Sequence, residues 1–244
     1  WSTIGFGFFY APLSFASVYG ASWLVAATWQ VTIIAGVLLS PLFFKYKQSN
    51  MGIIKVRNKI PKKALLMSSV ILIGIFLIQF EDANNISNLR MFLVVIPVII
   101  AAFSYPLGNR KMIEFCDNRF NTYQRVFGMT LCSMPFWVII SIFGFLDTGL
   151  PNKSQMMQSL IVAIFSGIIA TILFFKATDM VSKDMNKLAV IESTQSGEVI
   201  FTLIGGVFVF QDKMPTVVGF IGILIVVIGM ILNSLIQSRL SDKI

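Results

Sequence analysis

Eight apolar stretches of about twenty residues fill this chain, and a helix needs roughly that length to cross the ~30 Å hydrocarbon core of a bilayer. Backbone groups in such a core find no water, so helices are the elements these runs can form. The expected spans are 1–19, 22–44, 64–80, 91–109, 123–146, 155–178, 188–210 and 216–236. Continuous apolarity of this length excludes half-buried strands and one-sided surface helices. Pro12, Pro97, Pro106 and Pro135 fall inside spans, where neighbouring groups re-satisfy the carbonyls that proline frees. The fold class expected is an all-α polytopic membrane protein.

Composition agrees. Of 244 residues, 56% are hydrophobic and 12% charged, about half the ~25% charged fraction of soluble domains. There is no histidine, which removes the commonest metal ligand and the commonest acid–base catalyst near neutral pH. No metal site and no cofactor are expected. Cys116 lies in a basic loop and Cys132 in an apolar span, too far apart for a disulfide framework.

The net charge of +8 invites a nucleic-acid reading, but its distribution argues for a membrane. The connection 45–63 carries Lys45, Lys47, Lys55, Arg57, Lys59, Lys62 and Lys63 and no acid, so it is placed in the cytoplasm. Alternation of spans then puts sixteen Lys and Arg on that side and only Arg90, Lys153 and Lys213 on the other. The expected protein is a multi-pass one in the cell membrane, with both visible ends cytoplasmic and no nucleic-acid partner. Orientation accounts for most of these charges; an anionic lipid or ligand is the lesser alternative. Trp1 is not methionine and already belongs to an apolar run, so further helices are expected before it.

Residues 8–30 align without a gap on 174–196: Phe8-Phe9 with Phe174-Phe175, Ala11 with Ala177, and Thr28 with Thr194. Each copy continues into a Gly-containing span, Gly74 standing near the place of Gly229. Repeats inverted across the membrane plane are common in secondary transporters, with the site between them near the midplane. On this reading 1–80 is the remainder of a first repeat, 91–236 is a second repeat of five helices, and two helices before Trp1 would complete a 5+5 bundle.

Three segments carry a family likeness: Phe9-Tyr10-Ala11-Pro12-Leu13-Ser14-Phe15-Ala16, Tyr105-Pro106-Leu107-Gly108-Asn109-Arg110-Lys111, and Thr194-Gln195-Ser196-Gly197-Glu198. The chain resembles the drug/metabolite transporter superfamily, and within it the multidrug resistance efflux transporter family. The resemblance implies a ten-helix protein, of which these would be the last eight, exporting small organic molecules coupled to protons or another ion.

The residues themselves single out Glu198, in the 188–210 span. Counted from Leu188 it would lie ~15 Å deep, where a charge costs roughly 2.5–3.5 kcal/mol. An acid retained there reads as a proton- or cation-binding group, or else as a neutral carboxyl gluing two helices. Thr194 precedes it by one turn. Glu192 and Gln195 form another stripe; Glu192 reads either as an interfacial charge or as a proton or substrate group at the mouth. Trp29 and Gln30 sit at the corresponding depth of the second span, Trp29 as a cation–π face or as packing. Tyr10 reads either as lining the path opposite Gln30 or as packing, while Trp23 reads as an interfacial belt residue. Tyr105 and Asn109 flank Pro106 and Gly108, which weaken the end of their helix; Arg110 is a gate or an inside-facing anchor. Gly219, Gly222 and Gly229 mark a small-residue face for packing within the bundle or in a homodimer.

The function these features favour is alternating-access, proton-coupled efflux of small cationic or amphipathic compounds, with Glu198 and Glu192 as coupling groups. Tyr10, Trp29, Gln30, Tyr105, Asn109, Thr194, Gln195 and Glu198 would contact the cargo. A metabolite or amino-acid permease is the alternative. A membrane-embedded enzyme would need a nucleophile–base pair, metal cluster or phosphate motif, none of which is visible, and a purely structural subunit leaves the buried acids unexplained.

Overall fold

The computed structural model describes residues 1–49, 52–58, 60, 62–85, 88–116, 119–182, 187, 188, 191, 194 and 197–241. The chain is a helical membrane bundle. A π-helical turn, Thr3–Gly7, leads into α1, Phe8–Tyr19. Then come α2, Ser22–Trp29, and α3, Val31–Leu38. After a two-stranded hairpin follow α4, Lys62–Asn85, α5, Asn88–Cys116, and α6, Thr122–Thr148. Next is α7, Lys153–Val162, running through a second π segment, Ala163–Ala170, into α8, Thr171–Met180. The chain closes with α9, Gly197–Val209, and α10, Val217–Ser241. Among the described residues, three spans are long and apolar enough to cross a membrane by themselves: Phe92–Cys116, Thr122–Thr148 and Lys153–Met180.

The sequence expectation needs three corrections. The 45–63 connection is not simply a loop: β1, Phe44–Ser49, pairs antiparallel with β2, Gly52–Arg57, in a register from Phe44↔Arg57 to Ser49↔Gly52. Lysine-rich sequence hides the alternating Tyr46, Ile54 and Val56 that suit a strand. The 22–44 span is two helices. At Gln30 the side-chain amide donates to the Ala26 carbonyl (3.1 Å) while the Gln30 backbone N–H bonds Ala27 (3.2 Å), so the ordinary i−4 backbone bond is replaced and the helix is interrupted at this one residue. The helix through Tyr105 does not end at Asn109, because α5 continues to Cys116; in the 188–210 span, Leu188 and Ile191 are helical and Glu198 stands in the first turn of α9.

The starts of α6 and α7 share one local device. Asn121 with Gln124, and Asn152 with Gln155, each form a reciprocal capping box, which satisfies amide donors that a helix start leaves open. Pro106 offers no N–H to the Ala102 carbonyl, and the Thr32 hydroxyl of α3 donates to that carbonyl instead (3.1 Å). Arg110 Nη1 donates to the Gly36 carbonyl (2.6 Å) and Lys111 Nζ to that of Leu42 (3.1 Å). Arg110 thus caps the last turn of α3 and Lys111 the 3-10 turn Ser40–Leu42 that follows it, where carbonyls lack helical partners and positive charge is favoured. Arg110 is buried.

Close approach of helices rests on glycine. A Cβ at Gly74 would lie 2.8 Å from the Gly222 carbonyl, and one at Gly229 would lie 2.9 Å from Ile71. The small-residue face of α10 therefore packs inside the bundle, against α4. The outer surfaces of α6 and of the Lys153–Met180 span expose Phe143, Leu146, Ile161 and Phe165, a lipid-facing wall.

Candidate functional site

Where α1, α2, α5 and α8 meet, aromatic rings gather. The Phe9 ring lies 4.3 Å from Tyr10, 5.0 Å from Trp29 and 4.6 Å from Tyr105. Trp29 and Tyr105 meet edge to face at 5.8 Å. Phe174 closes on Tyr105 at 5.8 Å, and Phe175 on Phe6 at 5.9 Å. Three residues singled out from distant parts of the sequence, Tyr10, Trp29 and Tyr105, therefore share one cluster. The Thr171 hydroxyl donates to the Ser166 carbonyl (2.9 Å), so at 3.4 Å the Tyr10 hydroxyl is the donor to Thr171.

Two amide side chains border this cluster. Gln30, 0% exposed, uses its nitrogen on Ala26, while its Oε1 has no partner among the described residues. Asn109 lies one helical turn beyond Tyr105 on α5. It is 1% exposed, and neither its oxygen nor its nitrogen has a partner among the described residues. Leaving a buried polar group unpaired costs ~1–3 kcal/mol, so an arrangement that keeps both ends of an amide open needs another explanation than packing.

Glu198 stands on α9, which packs against α2. Ser22 meets Gly206, and the helices run antiparallel from that contact. Trp29 lies seven residues along α2 and Glu198 eight residues back along α9, depths of about 10.5 and 12 Å by helical rise. Glu198 is therefore level with the aromatic cluster. Val199 faces the core while Glu198 is exposed beside that seam. Its carboxyl makes no hydrogen bond or ion pair among the described residues. Thr194 is exposed in a tight turn, its hydroxyl bonded to the Ile191 carbonyl (2.7 Å); the structure does not bring it to the cluster. Glu192 and Gln195 lie outside the described residues.

Sequence reading missed a buried ion pair below the cluster. Arg125, counted there only as an orientation charge, has a side chain 2% exposed and meets Asp179 at 2.6 Å. Thr122 donates to the other carboxylate oxygen at 2.6 Å. The guanidinium lies 4.7 Å above the Phe175 ring, and Nη2 reaches the Phe175 carbonyl at 3.5 Å. The signal was faint: an Asp at the end of one span and an Arg at the start of another. Trp23 also differs from expectation. It is buried and its indole N–H donates to the Lys213 carbonyl (3.0 Å), so it is no belt residue.

Comparison with known proteins places these features in context. The model of a family described as "EmrE: Putative multidrug resistance efflux transporter" matches residues 1–239. The "Uncharacterized protein YjlA" of Bacillus subtilis (strain 168) is 51% identical over 234 residues, 96% of this chain and 72% of that protein. The "Uncharacterized 42.1 kDa protein in intracellular alkaline protease 3'region" of Shouchella clausii is 51% identical over 198 residues, 81% of this chain and 51% of that protein. No solved structure matches.

Proposed function

The chain belongs to the EmrE family of multidrug resistance efflux transporters, and from that membership we propose that it exports small cationic or amphipathic organic molecules by alternating access, in exchange for protons. The family points to transport rather than to catalysis of a reaction. The observation that carries the proposal is the meeting of Tyr10, Trp29 and Tyr105 in one cluster bordered by the Asn109 amide, which has no partner among the described residues. Aromatic faces hold an organic cation or a flat apolar body, each face contributing ~0.5–2 kcal/mol. The amide orients a polar group on the same cargo. The break at Gln30 lies beside Trp29, and discontinuous helices are a frequent setting for transporter sites.

Glu198, level with the cluster, is the proposed exchange group: protonated it is neutral, and ionised it attracts a cation. Glu192, Thr194 and Gln195 are proposed to serve the approach to it. Two inverted repeats, 1–80 and 91–236, would rock about this level, with the basic 45–63 connection and both visible ends on the cytoplasmic side. The two π-helical segments support the repeat. Under the 8–30 to 174–196 alignment, Thr3–Gly7 corresponds to 169–173, overlapping the end of Ala163–Ala170.

In proteoliposomes with a pH gradient, Glu198→Gln is expected to abolish proton-driven efflux while the protein remains monodisperse. Wild-type rates would remove Glu198 from the mechanism. Asn109→Leu is expected to separate stability from activity. Removing the orphaned amide relieves about 1 kcal/mol or more, roughly 2–4 °C in melting temperature for a chain of this size, while export is lost. A lower melting temperature with unchanged export would take Asn109 out of the site. A permease for an anionic metabolite is the second reading, favoured by the buried guanidinium of Arg125 below Phe175. Competition by organic anions rather than cations would select it.

A further inference from the structure

The link between α9 and α10 crosses to the start of α2 and fastens it at two consecutive residues. The Ser22 backbone N–H donates to Asp212 Oδ2 (2.9 Å), and the Trp23 indole N–H donates to the Lys213 carbonyl (3.0 Å). The link is shaped for this contact. Phe210 N–H bonds the Gly205 and Gly206 carbonyls (both 3.2 Å), and Asp212 N–H bonds Gly206 (2.9 Å). Between them Gln211 has φ 57°, the one positive value at a non-glycine residue among the described residues. Holding such a residue in the left-handed region costs on the order of 1–3 kcal/mol and persists only where surrounding bonds enforce it. Gly206 leaves the space required, since a Cβ there would lie 2.7 Å from Asp212 Oδ2. A carboxylate at the first N–H of a helix also sits where the helix dipole favours negative charge.

The fastening joins the two proposed repeats. Ser22 and Trp23 belong to the first, while Asp212 and Lys213 belong to the second. It lies about 10 Å along α2 from Trp29 by helical rise, at the opposite end of the bundle from the Arg110 and Lys111 caps. We infer that the Gln211–Lys213 strap is the closure of the transport path at the end opposite the basic connection, and that cargo leaves only when Asp212 and Lys213 let go of α2. Asp212 and Trp23 are then positioning residues: they touch no cargo but set whether the cluster communicates with that face. This inference rests on the carrier reading above.

The test begins without transport. In a background with Cys116→Ser and Cys132→Ser, Thr28→Cys reports access from the strap side. Thr28 is fully buried on α2, one residue before Trp29. A membrane-impermeant maleimide added on that side is expected to label Thr28→Cys at least tenfold faster when Asp212→Ala and Trp23→Phe are also present. Unchanged labelling would overturn the inference. A second variant, Ser22→Cys with Asp212→Cys, replaces the hydrogen bond with an oxidisable link and guards against the first variant merely unfolding. Oxidation is expected to reduce export at least tenfold while binding of a fluorescent organic cation from the opposite side is kept, and reduction is expected to restore export. Full export by the oxidised protein would equally overturn the strap. If the wild type exports nothing, the carrier reading fails, and the labelling experiment still decides whether the strap closes that face.

Discussion

Replacing Gly108 with valine is expected to leave little folded protein after detergent extraction. A single Cβ at this position would stand 2.3 Å from Gly5 Cα and 2.4 Å from Gly5 N. Both are backbone atoms of the π-helical turn, so no side chain can swing aside. Overpacking usually costs about 1–3 kcal/mol where neighbours can adjust; here α1 and α5 must separate as whole helices, and the cost lies at or above the top of that range. The separation would also pull Phe6, Phe9 and Tyr10 away from Tyr105. Gly128→Val and Gly144→Val are the controls, since a Cβ at either meets nothing within 4 Å. Fluorescence-detected gel filtration should show both controls near wild-type yield and Gly108→Val at a small fraction of it. Equal yields would show that the contact between the π turn and α5 is not needed for folding.

The second large effect is expected at Arg125 and Asp179, and it is asymmetric. Asp179→Ala leaves a buried guanidinium without its counter-ion, a loss of about 3–5 kcal/mol for such pairs. Arg125→Ala leaves a carboxylate that is 30% exposed and still accepts from Thr122. Water can reach that charge, so the electrostatic penalty is smaller, although the contact with Phe175 goes too. The double variant Arg125→Leu with Asp179→Leu removes both charges and is expected to recover most of the melting temperature lost in Asp179→Ala, because replacing a buried pair with apolar groups is often neutral. Melting curves of the three proteins test the order. An additive double variant, with the losses simply summed, would mean the two groups stabilise the bundle independently.

The spans were legible because a bilayer imposes a length on any helix that crosses it, and that length is written into the apolar runs. Thr122–Thr148 and Lys153–Met180 fall within a few residues of 123–146 and 155–178. The Asn121–Gln124 and Asn152–Gln155 spacings could have fixed those starts more closely, since an Asn followed three residues later by a Gln carries the capping geometry in itself. Tyr10, Trp29 and Tyr105 were legible as candidates because a polar or π-rich group in an apolar run needs a reason to be there. Their convergence was not legible, because it depends on which helices are neighbours. The same limit hid Arg125–Asp179 and Ser22–Asp212, pairs between spans that no local spacing connects. Trp23 misled because an indole near a span's end is usually a membrane anchor, and only the Lys213 carbonyl shows otherwise. The hairpin escaped notice because its strands are short and half their positions are occupied by lysine, glutamine, serine and arginine.

The interruption at Gln30 also separates two segments of the second span that are held by different neighbours. On one side of it α3 is pinned to α5 through Thr32, Arg110 and Lys111. On the other side α2 is tied at its far end by the Asp212–Lys213 contacts. At Gln30 itself an amide side chain already serves a carbonyl that a backbone N–H would otherwise serve, so bending or straightening there exchanges one donor for another. The junction between the two tethered segments thus leaves neither the Ala26 nor the Ala27 carbonyl without a donor.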